Sequence, residues 1–281
     1  MDFKHYIVYE PVREFRLVAL QALKGHWKTV LIIGFVYYLC LNLPVVVIDF
    51  LLGSLQSAQA ALTALLEGMP ASEWAEKYGN SYNTVSNIST LYSILVTGVF
   101  VLGTTMVWLN VLRSRPIDFE MLFDGFSNFL RALSLHIFKS VFIILWSLLF
   151  IVPGIVAYYR YSMAFYLLAD NPKMSAMEAL RLSSIMMRGN KLKLFTLDLS
   201  FIGWLILAGL VNMAIYSIAL VFGTAESEIG TLFQVAWQTI SSAVASVFWL
   251  CYRNVAFAEF YRRISAPYIV RQNQQTPTYY S

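Results

Sequence analysis

Four long stretches of the chain are almost free of charged residues. Thr29–Leu52 holds only Asp49 near its end, and the other three stretches, Ile88–Leu112, Leu199–Ala225 and Ile229–Tyr252, hold no charge. Each exceeds the roughly 20 apolar residues that a helix needs to cross a bilayer. The pattern therefore predicts four full transmembrane helices.

A fifth apolar region, Phe138–Ala169, is interrupted by Pro153 and Gly154. It is either one span, within residues 140–159, or a helical hairpin that turns at residues 152–154. Proline donates no backbone hydrogen bond and glycine permits a reversed backbone, so these residues favour a turn. Arms of about 15 residues measure roughly 22 Å, less than the bilayer core of about 30 Å. We therefore expect protein or a water-filled cavity to cover the turn.

The basic residues after this region distinguish the two topologies, because Lys and Arg accumulate in cytoplasmic loops. A single crossing would place nine of them outside, whereas a hairpin keeps all nine on the cytoplasmic side with the N-terminal basic residues. The hairpin topology leaves Lys77 as the clearly external basic residue and predicts cytoplasmic N- and C-termini. The nine residues are Lys173, Arg181, Arg188, Lys191, Lys193, Arg253, Arg262, Arg263 and Arg271.

Composition agrees with a membrane protein, since 58% of the residues are hydrophobic and 13% are charged. A soluble domain is about a quarter charged, so a soluble enzyme, a disordered chain and a disulfide scaffold are excluded. The net charge of +4 reflects the cytoplasmic basic residues rather than a nucleic-acid site. The predicted fold is an all-α polytopic bundle of about six membrane helices in the plasma membrane. Residues 1–270 form one integral-membrane domain, and residues 271–281 a disordered cytoplasmic tail.

Amphipathic helices that lie along the inner membrane surface are predicted in the cytoplasmic segments, and one of them has Met177, Leu180, Ser184 and Met187 on one face. Ser175 and Glu178 form a capping box, and Gly189 with Asn190 ends that helix. Similar patterns at Pro11–Gly25 and Phe119–Leu135 suggest three units of surface helix plus membrane hairpin, over residues 11–112, 113–169 and 175–252. The alternative is that basic helices precede spans simply because anionic lipid attracts them. Four residues are predicted to form a lipid-facing basic surface: Arg181, Arg188, Lys191 and Lys193.

The run Leu145–Trp204 resembles domain-of-unknown-function family 975, a family of uncharacterised bacterial integral-membrane proteins. The resemblance extends from about Arg13 to Arg263, and the external loop Gly53–Asn87 is not a feature of the family. More distantly, the hairpin is similar to the membrane domain fused to some glycerophosphodiester phosphodiesterases. The resemblance implies a membrane protein and supplies no catalytic residue. The segments that carry it are residues 145–155, 161–164, 168–172, 175–178, 188–191 and 197–204.

Three polar residues are candidates for a cavity beside the hairpin, namely Arg160, Asp198 and Asn190. A charge within a membrane costs on the order of 3 kcal/mol, so Arg160 should face the bundle interior or water. It either contacts an anion or phosphate, or has a structural role by pairing or by reaching the interface. Asp198 is its obvious partner, and the alternatives for Asp198 are helix capping and cation or proton binding.

Motifs of catalysis are absent from the sequence, and three scattered histidines do not form a metal-binding pattern. We therefore predict a non-enzymatic protein without metal or cofactor, with membrane lipids and a protein partner or a second copy as partners, and no nucleic acid. The first functional hypothesis is a small transport or export component with a polar cavity near the hairpin. The alternative is a membrane scaffold or regulator that binds anionic lipid or a partner through its basic helices. An intramembrane lipid enzyme has the least support, because no acid–base pair or nucleophile is present.

Overall fold

A computed structural model describes residues 7–67, 81–221, 237, 241, 244 and 247–266. Within these ranges the chain forms helices, turns and short connections and no strand, so the predicted all-α class is confirmed. Two 3-10 turns, Phe119–Leu122 and Asp124–Asn128, precede α4. The helices are α1 (Val12–Leu23), α2 (Trp27–Glu67), α3 (Ser81–Leu112), α4 (Phe129–Leu149), α5 (Ile151–Arg160), α6 (Ala164–Asp170), α7 (Ala176–Met186), α8 (Lys191–Val221) and α9 (residues 247–266).

Four helical segments of the described chain are long and apolar enough to cross a membrane: Trp27–Ile48, Ile88–Leu112, Phe119–Leu149 and Lys191–Ile215. Three of them coincide with predicted spans, and the third in chain order contains the first arm of the predicted hairpin. Large apolar side chains are exposed along α2, α4 and α8, as a lipid-facing surface requires. The architecture is a helical membrane bundle. Most of the predicted span Ile229–Tyr252, and the whole predicted tail, lie outside the described residues.

The central hairpin reverses direction at Phe150, which has an extended backbone with φ −164° and ψ 157°. Pro153 and Gly154, predicted to form the turn, lie instead in the first turn of α5. Proline is tolerated there because an amide in the first helical turn has no intrahelical partner. Gly154 allows α4 and α5 to approach closely, since a Cβ atom at this position would lie 2.1 Å from Ser147 Oγ. The two residues thus begin and pack the second arm rather than reverse the chain.

The tip of this hairpin is apolar and strongly exposed, from 60% at Leu149 to 80% at Ile151. None of the described residues covers it, which differs from the expected covered turn. The break is only one residue long, and it keeps part of its backbone hydrogen bonding. The amide of Phe150 donates to the carbonyl of Trp146, and the amide of Gly154 donates to the carbonyl of Phe150. Few backbone groups at the break therefore lack a hydrogen-bond partner, which lipid could not supply.

The hydrophobic core lies at the end of the molecule that contains α1, α6, α7 and the beginning of α8. Most of α6 is buried, and α7 packs against α4 and α6. The apolar face predicted for α7 is therefore covered mainly by protein, with Leu180 and Met187 buried and Met177 exposed. The prediction that this face lies on the membrane is wrong for Leu180 and Met187. An amphipathic pattern has the same period whether protein or lipid covers it.

The predicted surface helix Phe119–Leu135 is replaced by the two 3-10 turns and the beginning of α4. The turns lie directly on the backbone of α3. A Cβ atom at Gly103 would come within 2.1 Å of the Leu122 carbonyl oxygen, and one at Gly125 equally close to that of Val99. The close approach at both glycines holds the segment against α3.

Candidate functional site

A cavity of about 280 Å³ lies between the second half of α3, the hairpin, α6 and α9. Its walls combine apolar rings with hydroxyl groups and two cations, Lys139 and Arg253. Both cations lie close to segments that the sequence predicts to cross the membrane. Charges at such positions are costly unless they are paired or hydrated. The neighbours of each cation therefore decide whether its charge is available to a ligand.

Arg253 of α9 is held by Asp198 of α8. Its Nε donates to Asp198 Oδ1 at 2.5 Å, and its Nη2 donates to Asp198 Oδ2 at 2.8 Å. The same Nη2 donates to the hydroxyl of Tyr158 at 3.1 Å. A two-point contact of this kind fixes the guanidinium plane and neutralises its charge.

Two aromatic rings on α9 cover the faces of this guanidinium. The Cζ atom of Arg253 lies 4.9 Å from the ring centre of Trp249 and 4.2 Å from that of Phe257. Residues four positions before and after a helical residue lie on the same face, so the sequence places both rings beside Arg253. This aromatic spacing around a cation is a signal that the sequence predictions did not use.

Asp198 has a second partner in the hairpin. The hydroxyl of Tyr159 donates to Asp198 Oδ2 at 2.9 Å. The carboxylate therefore joins three elements, with α8 carrying it, α9 supplying Arg253 and α5 supplying Tyr159. Of this group, Arg253 lines the cavity, and the other two residues hold it in place from behind.

Lys139 of α4 is different, because no described carboxylate lies within ion-pairing distance of its ammonium group. Its Nζ lies 5.6 Å from the ring centre of Tyr158 and 5.5 Å from that of Phe165. Cation–π contacts of this kind compensate an ammonium charge only partly. With Arg253 neutralised by Asp198, the described part of the cavity carries one uncompensated positive charge.

Three aliphatic hydroxyl groups also line the cavity, those of Thr104, Thr105 and Ser162. Thr104 Oγ1 donates to the carbonyl of Phe100 at 2.9 Å, and Thr105 Oγ1 to that of Val101 at 2.6 Å. Ser162 Oγ donates to the carbonyl of Tyr159 at 2.8 Å. Each hydroxyl hydrogen is thus used within the protein, whereas the oxygen lone pairs stay available as acceptors.

Residues 151–267 match a family model described as "Protein of unknown function (DUF975)". The predicted resemblance to this family is confirmed over residues 151–267. The DUF975 region contains Asp198 and Arg253, whereas Lys139 and the threonines of α3 lie before it. The wider predicted resemblance, from about Arg13, extends beyond the match. No curated protein and no solved structure matches the chain.

Arg160, at the end of α5 in the DUF975 region, does not pair with Asp198. Its Nε donates to Ser184 Oγ at 2.6 Å, and its carbonyl accepts from Ser183 Oγ at 2.9 Å. Its Cζ atom lies 5.5 Å from the ring centre of Tyr161. Arg160 therefore connects the hairpin to α7. The predicted pair failed because the true partner of Asp198 is 55 residues away, where no local spacing indicates it.

Asn190, the third residue predicted for the cavity, is fully buried elsewhere in the DUF975 region. Its Oδ1 accepts from the amide of Val8 at 2.9 Å, and its Nδ2 donates to the carbonyl of Met186 at 3.0 Å. The preceding Gly189 has φ +74°, a conformation that favours glycine. Asn190 thus fastens the N-terminal segment to the turn before α8 and is not part of the cavity.

The predicted basic surface is solvent-accessible. Arg181 and Arg188 are exposed, and Lys191 and Lys193 are partly exposed on either side of Leu192, which is 71% exposed. None of these four residues lines the cavity, so the basic surface is a separate feature of the molecule.

A further ion pair connects the cavity wall to the α6 end. Arg113 donates to both carboxylate oxygens of Asp170, at 2.7 and 2.8 Å, and the hydroxyl of Tyr261 donates to the same carboxylate at 3.0 Å. Burial raises the pKa of Tyr261, and the charge of Asp170 and this hydrogen bond raise it further. Tyr261 also stacks on Tyr166, a cavity residue, with ring centres 5.4 Å apart. Within the described parts of the chain, 7–67, 81–221 and 247–266 included, no three metal-ligating side chains lie together.

Proposed function

We propose that this protein is a non-enzymatic component of small-solute transport or export, and that it binds its solute in the cavity beside Lys139. The observation that carries the proposal is a cation without a carboxylate partner among the described residues, in a partly open cavity of about 280 Å³. An ionisable residue inside a membrane bundle is expensive and is retained where a pathway or ligand needs it.

The hairpin beside the cavity also supports transport. One residue from each arm lines the cavity, Lys139 from α4 and Tyr158 from α5. Many transporters bind their substrates between interrupted membrane helices, and these two arms are interrupted at Phe150. The break lies at the exposed tip of the hairpin, so the polar groups of the cavity come from the base of the arms.

A binding role fits the chemistry of the walls better than a catalytic one. The described residues that line the cavity include no carboxylate and no histidine. The threonine and serine hydroxyls donate to backbone carbonyls, so none of them is hydrogen-bonded to a base that would activate it as a nucleophile.

The test is uptake into proteoliposomes that contain the purified full-length protein. A panel of small organic anions, neutral polyols and cations is offered to wild type, Lys139→Gln and Lys173→Gln. Lys173 is exposed and outside the cavity, so it is the matched control. We expect at least one solute to enter faster than into protein-free vesicles, with the increase lost in Lys139→Gln and kept in Lys173→Gln. Uptake equal to protein-free vesicles for every solute, or an unaffected Lys139→Gln variant, overturns the proposal.

The second candidate is a scaffold or regulator that binds anionic lipid or a protein partner through its basic helices in the bacterial plasma membrane. It is favoured by the exposed basic surface around Leu192, where an apolar side chain projects between two lysines. Such a pattern fits a surface of anionic headgroups. Replacing Arg181, Arg188, Lys191 and Lys193 by glutamine should then reduce both the anionic lipid that copurifies and the capture of a partner. Unchanged lipid and partner binding would exclude this role.

A further inference from the structure

We propose that the cavity selects a small hydroxylated monoanion, whose single oxyanion group pairs with Lys139. This inference deepens the proposed function, since it names the ligand class of the same cavity. It depends on the charge balance, the hydrogen-bonding capacity and the size of the cavity.

The charge balance favours one negative charge. Arg253 is neutralised by the two-point contact with Asp198, so Lys139 is the cation left to a ligand among the described cavity residues. A monoanion cancels that charge. A dianion would bring a second negative charge to a cavity whose described residues offer no second free cation, and a neutral solute would leave the ammonium uncompensated.

The hydrogen-bonding groups of the walls are of two kinds. Lys139 has an ammonium group that only donates, and the Tyr158 hydroxyl, which accepts from Arg253, keeps its own hydrogen. The hydroxyl oxygens of Thr104, Thr105 and Ser162 have used their hydrogens and offer lone pairs. A ligand that satisfies both kinds carries an oxyanion and hydroxyl donors. An ammonium donor in place of the hydroxyls would bring a second positive charge into the cavity of Lys139.

The size of the cavity favours a small ligand. A space of about 280 Å³ lies just below the roughly 300–1,000 Å³ of drug-sized binding sites. Trp108, Phe165 and Phe257 supply the apolar parts of the wall, against which a short carbon chain packs. Short hydroxy acids have this chemistry, and so does the glycerol phosphodiester at the head of an anionic lipid.

Binding of four related solutes to the purified full-length protein, measured by calorimetry in phosphatidylcholine nanodiscs, tests the inference. Glycerate has one charge and hydroxyls, propionate the charge alone, glycerol hydroxyls alone, and tartronate a second carboxylate. We expect glycerate to bind more tightly than each of the other three. Equal or tighter binding of glycerol or tartronate, or no binding of any of the four, overturns the inference.

Variants test the contact of the oxyanion with Lys139 and the contacts of the ligand hydroxyls with the threonines separately. Lys139→Gln should weaken glycerate binding by about tenfold to 100-fold, the range for a charge-assisted hydrogen bond, whereas the exposed control Lys173→Gln should not. Replacing Thr104 and Thr105 together by valine keeps the shape of the wall and should abolish the preference for glycerate over propionate while leaving propionate affinity unchanged. Glycerate binding that survives Lys139→Gln contradicts the inference even if the threonine variant fails to fold.

Nanodiscs that include phosphatidylglycerol distinguish the two sources of the monoanion. If lipid is the ligand, phosphatidylglycerol competes with glycerate and copurifies with wild type but less with Lys139→Gln. If a soluble acid is the ligand, glycerate affinity is unchanged by phosphatidylglycerol. Either result upholds the ligand class. Selective glycerate binding without uptake would refute transport but not the ligand class. Lys139-dependent uptake of a dianion or polyol would refute the ligand class but not transport.

Discussion

At the scale of single residues, the pair of Asp198 and Arg253 fixes α8 to α9. Both side chains are largely buried, at 14% and 10% exposure, so neither charge is well solvated without the other. Asp198→Asn would leave the guanidinium uncompensated, and we expect it to lower the free energy of unfolding by about 3–5 kcal/mol. Chemical denaturation in detergent measures this, with Asp118→Asn as an exposed control. A loss of unfolding free energy equal to that of the control would show that the pair does not stabilise the protein.

Tyr261 gives the pair of Arg113 and Asp170 a measurable pH dependence. The pKa of Tyr261 is raised in the folded protein, so its proton is held more tightly there than in the unfolded chain. Its contribution is complete below about pH 10, the ordinary tyrosine pKa, and declines as the pH rises through the folded-state pKa. We expect wild type to exceed Tyr261→Phe by about 1 kcal/mol at neutral pH, with the difference narrowing above about pH 10. A constant difference up to high pH, or one shared by the exposed Tyr9→Phe control, would contradict this.

Sequence reasoning selected Asp198 correctly as a polar residue of the bundle and assigned it the wrong partner. Arg160 was the nearest cation in the pattern, whereas Arg253 follows the last apolar stretch and was counted as a cytoplasmic charge. Pairing between distant helices depends on how they pack, which spacing along the chain does not encode. The rings of Trp249 and Phe257 were the local signal that Arg253 is enclosed.

At the scale of elements, the hairpin depends on the contact between Gly154 and Ser147. A Cβ atom at position 154 would lie 2.1 Å from Ser147 Oγ and 3.0 Å from its Cα, so Gly154→Ala must push α4 and α5 apart. We expect it to cost about 1–3 kcal/mol of stability, as overpacking does. Gly203→Ala is the matched control, since nothing lies within 4 Å of that position and alanine favours the helix. Destabilisation of the same size at both positions would mean that the close approach is unimportant.

The hairpin also shows which part of an element a pattern can predict. Its existence followed from the interruption of an apolar run and from the placement of basic residues, and an α4–α5 hairpin is present. The turn position did not follow, because proline and glycine suit the first turn of a helix as well as a loop. The predicted surface helices failed for a related reason, since their apolar faces do not reveal whether lipid or protein covers them.

At the scale of the whole molecule, the predicted topology requires the segment after α7 to face the cytoplasm. Arg188 is exposed and suits cysteine labelling, whereas its neighbour Asn190 is fully buried. In a chain with Cys40 and Cys251 replaced by alanine, we expect Arg188→Cys to resist a membrane-impermeant maleimide in intact cells and to react after lysis. Lys77→Cys, in the predicted external loop, should react in both. Labelling of Arg188→Cys from outside would refute the hairpin topology.

The central claim is that the cavity beside Lys139 is a ligand site, and the most direct test is an experimental structure of the full-length protein in nanodiscs with glycerate present. We predict density for an oxyanion within hydrogen-bond distance of Lys139 Nζ, with Asp198 still paired to Arg253. A cavity without ligand density, or a carboxylate from elsewhere in the chain paired with Lys139, would contradict the claim.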